Sequence, residues 1–158
     1  PEEENTEMNI VSASAGDEPW IRQLLTLCGL PEEDITAEHL RHFRVMKEKG
    51  AIIGTVGLEI FGRFALLRSL AVDPRFRGRG FASELIRKAE EVAVARKIEA
   101  LFLLTLTAED FFAKRGYRKT ERSAAPPEIR ETAEFKTLCP ASSVCLIKRL
   151  GWESPLSR

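Results

Sequence analysis

The chain has 158 residues, the length of one ordinary globular domain and too short for two well-packed ones. Hydrophobic residues make up 44% of it and charged residues 30%, which excludes a disordered or fibrous chain. Its 24 basic and 24 acidic residues cancel, which argues against a protein whose main task is to bind nucleic acid or an anionic membrane. No apolar run reaches the roughly 18–20 residues of a membrane span, and no signal peptide is recognisable. The expectation is a cytoplasmic protein.

The ends of the chain differ in character from the rest. Residues 1–7, PEEENTE, are acidic and show no apolar periodicity. We expect them to lie upstream of a domain that covers residues 8–150, with 151–158 as a C-terminal tail. The three cysteines lack the spacing of metal ligands, so neither a disulfide framework nor a metal site is expected.

The first half of the chain predicts a helix followed by strands. After a short strand behind Met8, apolar residues recur at helical spacing between an N-cap at Asp17 and a stop at Gly29. A polar connection then holds a short helix from Thr36. Strands are predicted over 43–48, 51–61 and 64–72, separated by turns at Lys49-Gly50 and Gly62-Arg63.

Helices and strands alternate in the second half. Helices are predicted over 81–97, 108–114 and 128–135, and strands over 100–106, 117–122 and 143–149. Strands that lie before, between and after helices indicate an α/β fold with a mixed sheet and helices on both faces.

The most informative stretch is LAVDPRFRGRGFASELI, residues 70–86. An apolar strand ends at Val72, and RFRGRG then leads directly into a helix. Glycines let the backbone approach a ligand closely, and the first N–H groups of a helix suit a pyrophosphate. A helix start with an unusual loop is the plainer alternative. A dinucleotide fingerprint fits poorly because Ser83 occupies the third glycine position, and no P-loop lysine follows.

Here the sequence resembles the GNAT superfamily of acyl-CoA-dependent N-acetyltransferases. The family pattern Arg/Gln-x-x-Gly-x-Gly/Ala is matched by Arg75-x-x-Gly78-x-Gly80, and LFLLTLTAEDFFAKRGY is similar to the family's later strand, helix and Gly-aromatic end. The resemblance covers about residues 8–150. It implies a mostly antiparallel sheet in which strands 65–72 and 100–106 run parallel and splay to admit the acyl-CoA arm.

The resemblance also implies acetyl-CoA as the cosubstrate, without a metal. Backbone groups at the end of the strand bind the pantetheine arm, and the N–H of Leu70 is the candidate oxyanion donor. The turn and the start of the helix cradle the pyrophosphate. The residues implied are Leu70, Ala71, Val72, Arg75, Arg77, Gly78, Arg79, Gly80, Phe81 and Ala82.

A narrower resemblance concerns the acceptor. The segments VGLEIFGRFALLRSLAV and TAEFKTLCPASSVCLIKRL resemble the arsenic-resistance-associated N-acetyltransferase subgroup, and LFLLT with FFAKRGY is similar to short N-acetylglutamate synthases. Both imply an amino-acid-like acceptor.

One position departs from the family pattern. Where many members carry a tyrosine that protonates the leaving thiolate, this chain has Phe112, which cannot donate a proton. Coenzyme A would leave as the thiolate, or water or another side chain would protonate it. Tyr117, the one tyrosine of the sequence, fits a core position.

Two charges stand inside otherwise apolar strands. With a two-residue turn at Gly62-Arg63, Glu59 and Arg68 lie on one sheet face as diagonal neighbours. A structural ion pair accounts for both. The functional alternative makes Glu59 the base that removes the proton of an acceptor ammonium, and Arg68 the ligand of a substrate carboxylate. A strand bulge would change this register.

Other candidates carry weaker signals. Thr105 and Thr107 follow an apolar strand and are candidates to hydrogen-bond the acceptor, with helix capping by Thr107 as the alternative. His39 and His42 are expected to be surface residues, and Cys139 and Cys145 to be inert packing residues.

The predicted activity is transfer of an acetyl group from acetyl-CoA to the primary amine of a small amino-acid-like substrate by direct attack, because the sequence offers no nucleophile for an acyl-enzyme. The alternatives are a peptide or protein amine as acceptor, or a non-catalytic acyl-CoA sensor. A homodimer is possible.

Overall fold

The computed structural model describes residues 9–150. The expectations for residues 1–7, for Met8 and for the tail at 151–158 therefore lie outside the described residues, and the domain boundaries stay predictions. The described residues divide into two compact units, one formed by residues 9–58 and 69–89 and the other by residues 59–68 and 90–150. None of the helices in the described part is long and apolar enough to cross a membrane.

The described residues form strands, α-helices and short turns. The strands are β1 (Asn9–Ser12), β2 (Phe43–Glu48), β3 (Ala51–Phe61), β4 (Phe64–Val72), β5 (Ala100–Thr105), β6 (Arg118–Thr120) and β7 (Val144–Arg149). The α-helices are α1 (Glu18–Leu27), α2 (Ala37–Leu40), α3 (Phe81–Ala95), α4 (Glu109–Ala113) and α5 (Pro127–Arg130). Single 3-10 turns occupy Ala15–Asp17, Pro74–Phe76 and Arg122–Ala124, and a π-helical turn occupies Glu134–Leu138.

One predicted helix is wrong in extent. The helix expected over 128–135 ends as α5 at Arg130, and the separate π-helical turn starts four residues later. The hydroxyl of Thr132 donates to the carbonyl of Ile129 over 2.6 Å and lies 3.4 Å from the N–H of Phe135. A threonine that bonds its local backbone in this way competes with helical hydrogen bonds, which explains the break.

The seven strands form one sheet in the order β1-β2-β3-β4-β5-β7-β6. Antiparallel pairs join β1 to β2, β2 to β3, β5 to β7 and β6 to β7. The strands β4 and β5 run parallel, and their described register covers Phe64–Leu66 against Ala100–Phe102. The mixed, mostly antiparallel α/β sheet with one parallel pair is thus confirmed.

In the first unit, β3 is covered on both faces. A Cβ at Gly57 would come within 2.2 Å of the Phe43 ring, and one at Gly54 within 2.9 Å of Leu85 in α3. Side chains three positions apart on a strand point to opposite faces, so these glycines admit bulky neighbours on the two sides. Phe43 belongs to the buried cluster that receives the apolar stripe of α1: Ile21, Leu24 and Leu25.

The second unit has its own core. Leu66 of β4 packs with Phe102 of β5, Ile129 of α5 and Phe135 of the π-helical turn. The edge-to-face contact of Phe64 and Phe102, with ring centroids 6.3 Å apart, belongs to the same region. This core fixes the π-helical turn against the strand that carries Arg68.

Candidate active site

The turn after β4 is organised by Asp73, a buried residue that the sequence analysis did not single out. Its carboxylate accepts the backbone N–H of Arg75 over 2.9 Å and the guanidinium of the same residue over 2.9 and 3.1 Å. These hydrogen bonds hold the pKa of Asp73 below its ordinary value. An Asp-Pro pair directly after a strand is the local signal for such a side-chain-stabilised turn.

The three arginines of the turn have different surroundings. Arg77 donates from Nε to the carbonyl of Val72 over 3.1 Å, and its Nη2 lies 3.3 Å from Sγ of Cys28. Arg75 is tied to Asp73. The guanidinium of Arg79 lies 5.3 Å from the centre of the Phe76 ring, within the range of a cation–π contact. Two of the three cations therefore shape the turn itself.

Gly78 and Gly80 both have left-handed backbones, with φ of 83° and 81°. An added Cβ at either position would meet nothing within 4 Å, so conformation rather than packing requires glycine there. The N–H of Glu84 donates to the carbonyl of Gly80 over 3.1 Å. The turn thus leads into the first turn of α3, whose N–H groups suit an anion. Phe81 and Ala82 are half-buried there.

A bulge interrupts β4 directly before the predicted pantetheine-binding residues. Ser69 has a φ of 59°, unusual for a non-glycine residue within a strand. The register set by the Gly62-Arg63 turn would place Asp73 opposite Ile52, yet the N–H of Asp73 donates to the carbonyl of Ile53 over 2.8 Å. The shift of one residue is that of a bulge. Leu70, Ala71 and Val72 come after it, with Ala71 and Val72 buried.

The ion pair of Glu59 and Arg68 is confirmed, with 2.6 Å between Nη1 of the arginine and Oε2 of the glutamate. The Arg68 side chain is fully buried, and 10% of the Glu59 side chain is exposed. The other terminal nitrogen, Nη2, lies 3.3 Å from Oε2 of Glu134. A substrate carboxylate would share this guanidinium with two carboxylates of the protein, so the role of Arg68 in acceptor binding stays a prediction.

Glu134 is the residue that the sequence analysis missed at this cluster. It is 5% exposed, although an isolated glutamate is rarely buried without a partner. In the sequence Glu134 stands between two apolar residues, Ala133 and Phe135, near the end of the helix predicted over 128–135. Sγ of Cys139 lies 3.7 Å from its Oε1.

The two C-terminal cysteines are protonated thiols. Burial raises the pKa of Cys139 to about 12 and that of Cys145 to about 11. Neither thiol ionises near neutral pH, which fits the prediction of inert packing residues.

Thr105 is the last residue of β5, and Thr107 follows the strand. The hydroxyl of Thr105 accepts the N–H of Ala108 over 3.0 Å and so caps the turn before α4, while Thr107 is exposed. Helix capping by Thr107 is wrong, because Ala108 is the N-cap residue of α4 and no side chain caps this helix. A role for either threonine toward an acceptor stays a prediction.

The aromatic pair near α4 belongs to the core. Phe112 is 5% exposed and packs edge-to-face on Tyr117, with ring centroids 5.3 Å apart. The Tyr117 hydroxyl donates to Glu90 over 2.8 Å, and burial raises the pKa of this phenol far above its ordinary value. The prediction that Tyr117 is a core residue is confirmed. His39 caps α2, since its Nδ1 accepts the N–H of Thr36 over 3.0 Å.

Comparison with known proteins decides the family. The sequence profile of the acetyltransferase (GNAT) family matches residues 7–119. An uncharacterized N-acetyltransferase of Chlorobaculum tepidum is 35% identical over 109 residues, which are 68% of either chain. The chain belongs to the acetyltransferase (GNAT) family. The resemblance to the GNAT superfamily, which was based on the Gly-x-Gly turn and the later segments, is thereby confirmed.

Two further relatives of the acetyltransferase have named substrates or ligands. An amino-acid acetyltransferase of Mycobacterium tuberculosis is 26% identical over 121 residues, 76% of this chain and 66% of the relative. The N-acetylglutamate synthase of Neisseria gonorrhoeae, solved with coenzyme A and N-acetyl-glutamate, shares the fold with a TM-score of 0.80 at 23% identity. The superposition covers 93% of this chain but only 36% of that synthase.

Proposed function

We propose that this protein is an N-acetyltransferase that moves the acetyl group of acetyl-CoA to the primary amine of a small amino-acid-like acceptor. The observation that carries the proposal is the turn from Asp73 to Gly80, with its two left-handed glycines at the start of α3, in a chain of the acetyltransferase (GNAT) family. Such a turn presents backbone N–H groups without Cβ atoms in the way.

In this proposal the cosubstrate binds along the end of β4 and the following turn. Backbone groups of Leu70, Ala71 and Val72 hold the pantetheine arm, as the family resemblance implies. The turn and the first turn of α3 hold the pyrophosphate, with Arg79 as a nearby exposed cation.

The proposed reaction is a direct transfer. Glu59 takes a proton from the acceptor ammonium, directly or through water. The neutral nitrogen then attacks the thioester carbonyl carbon, and the N–H of Leu70 stabilises the oxyanion that forms. The C–S bond breaks as the carbonyl re-forms, the attacking nitrogen gives its second proton to water, and coenzyme A leaves as the thiolate or takes a proton from water. Phe112 supplies no proton at this step.

The class of acceptor rests on the relatives. Proteins named amino-acid acetyltransferase match more than half of this chain at 26–30% identity. We therefore place an α-amino acid first among acceptors, with glutamate-like and arsenic-containing amino acids as the candidates that the sequence resemblance implies.

The test follows free thiol while the protein is incubated with acetyl-CoA and a panel of amines. The panel contains acidic, neutral and basic amino acids, a short peptide and an amine without a carboxylate. Thiol release that depends on an amino acid supports the proposal, and preference for the peptide favours a protein or peptide acceptor. Acetyl-CoA binding in a calorimeter without thiol release by any amine would favour the sensor alternative instead.

A further inference from the structure

The guanidinium of Arg68 lies between two carboxylates, those of Glu59 and Glu134, which are 75 positions apart in the sequence. Nη1 lies 2.6 Å from Glu59 and Nη2 lies 3.3 Å from Glu134. The side-chain exposures are 0% for the arginine, 10% for Glu59 and 6% for Glu134. Of the three groups, Glu59 is the most open to solvent.

The shape of the guanidinium couples these two contacts. It is a rigid planar fork, so fixing the direction of one terminal nitrogen fixes the direction of the other. A carboxylate that holds Nη2 therefore sets the line along which Nη1 meets Glu59. Compensating a single buried arginine needs one carboxylate, whereas this cluster buries two.

Glu134 is itself held from its other side. Its carboxylate has Oε2 at Arg68 and Oε1 3.7 Å from Sγ of Cys139, and the backbone N–H of Cys139 donates to the Glu134 carbonyl over 3.1 Å. The next residue, Phe135, is 7% exposed and packs in the core that contains Leu66 of β4. The carboxylate of Glu134 is thus anchored to the strand that carries Arg68.

We propose that Glu134 is a positioning residue, which fixes the Arg68 guanidinium and through it the orientation of Glu59. This inference rests on the proposed function, because it takes Glu59 as the base of the acetyl transfer. Cys139 supports the glutamate as a neutral donor, and no proton moves along the cluster.

The test is a double-mutant cycle on kcat with Glu59→Gln and Glu134→Gln. In the otherwise unmodified protein, Glu134→Gln lowers kcat by about tenfold, because a misplaced base costs rate, and leaves KM for acetyl-CoA unchanged. In the Glu59→Gln background the same change has less than a twofold effect, because there is no base left to misplace. The control is Glu131→Gln, which removes an exposed carboxylate paired with Lys136 over 3.0 Å.

The outcomes separate the two levels of the proposal. An equal loss of kcat from Glu134→Gln in both backgrounds, or no loss in either, overturns the positioning role. The absence of thiol release by the unmodified protein overturns the proposed function itself. If Glu134→Gln fails to fold, Glu134→Asp retains the charge but withdraws it from Nη2 by one methylene, and the same dependence on Glu59 is expected.

Discussion

The substitution Glu59→Gln distinguishes two roles of Glu59: that of the catalytic base and that of a purely structural partner of Arg68. It replaces the carboxylate by an amide of nearly the same shape, which accepts a hydrogen bond but no proton at neutral pH. If Glu59 is the base, the maximal rate falls by about a hundredfold or more, within the range for removal of a general base. The loss is largest at low pH, where few acceptor amines are already neutral.

The cost in stability is expected to be small, and the structure supplies the reason. After the substitution, Arg68 still has Glu134 as a carboxylate partner 3.3 Å away, and the new amide oxygen can accept from Nη1. We expect a loss of about 1 kcal/mol in the free energy of unfolding. Arg68→Met leaves two buried carboxylates without their cation instead, and the expected loss is about 3–5 kcal/mol.

The assay is steady-state thiol release at saturating acetyl-CoA, from pH 6 to 9, with the folded fraction measured by thermal unfolding. Glu99→Gln is the matched control, since Glu99 pairs with Arg63 over 3.2 Å at the surface and has no place in the proposed chemistry. A Glu59→Gln protein that keeps more than half of the unmodified kcat at every pH would refute the base assignment and leave the ion pair as a structural feature.

Three further predictions concern the turn from Asp73 to Gly80, the guanidinium of Arg68 and the buried thiol of Cys145. Gly80→Val raises the Kd for acetyl-CoA by about tenfold or more. The control is Gly50→Val: Gly50 has a φ of 83°, against 81° at Gly80, and equally open surroundings, so this change costs the same backbone strain of about 1–2 kcal/mol but leaves the Kd unchanged. Equal Kd values for the two variants would place the cosubstrate elsewhere. Arg68→Lys lowers kcat equally for amines with and without a carboxylate, because Glu59 and Glu134 already occupy the guanidinium. A rise in KM confined to acidic amino acids would instead show that the guanidinium binds the acceptor carboxylate. Burial raises the pKa of Cys145 from 9.0 to about 11, so the thiol loses its proton at a lower pH in the unfolded chain than in the folded protein. The free energy of unfolding therefore falls as the pH rises from 9 to 11, and Cys145→Ala should reduce this fall in denaturation curves. An unchanged pH dependence in the variant would contradict the raised pKa.

Local patterns were enough to predict most of the secondary structure. The turns at Lys49-Gly50 and Gly62-Arg63 separate β2, β3 and β4 where glycine spacing placed them, and residue 49 and both glycines have left-handed backbones. The stop of α1 near Gly29 follows from the same conformational preference. These features depend on neighbours within a few positions, which is why the sequence alone reveals them.

The family and the conformation of the turn from Asp73 to Gly80 were likewise readable from local sequence, since Arg75-x-x-Gly78-x-Gly80 is contiguous and its glycines act through their own φ angles. The sequence also placed Glu59 and Arg68 on one sheet face, because a two-residue turn fixes the register between them. The sequence did not predict that Glu134 lies beside Arg68. Only the tertiary structure brings this residue to the guanidinium, because the break after α5 and the packing of Phe135 on the core determine where a side chain 66 positions further along the chain will lie.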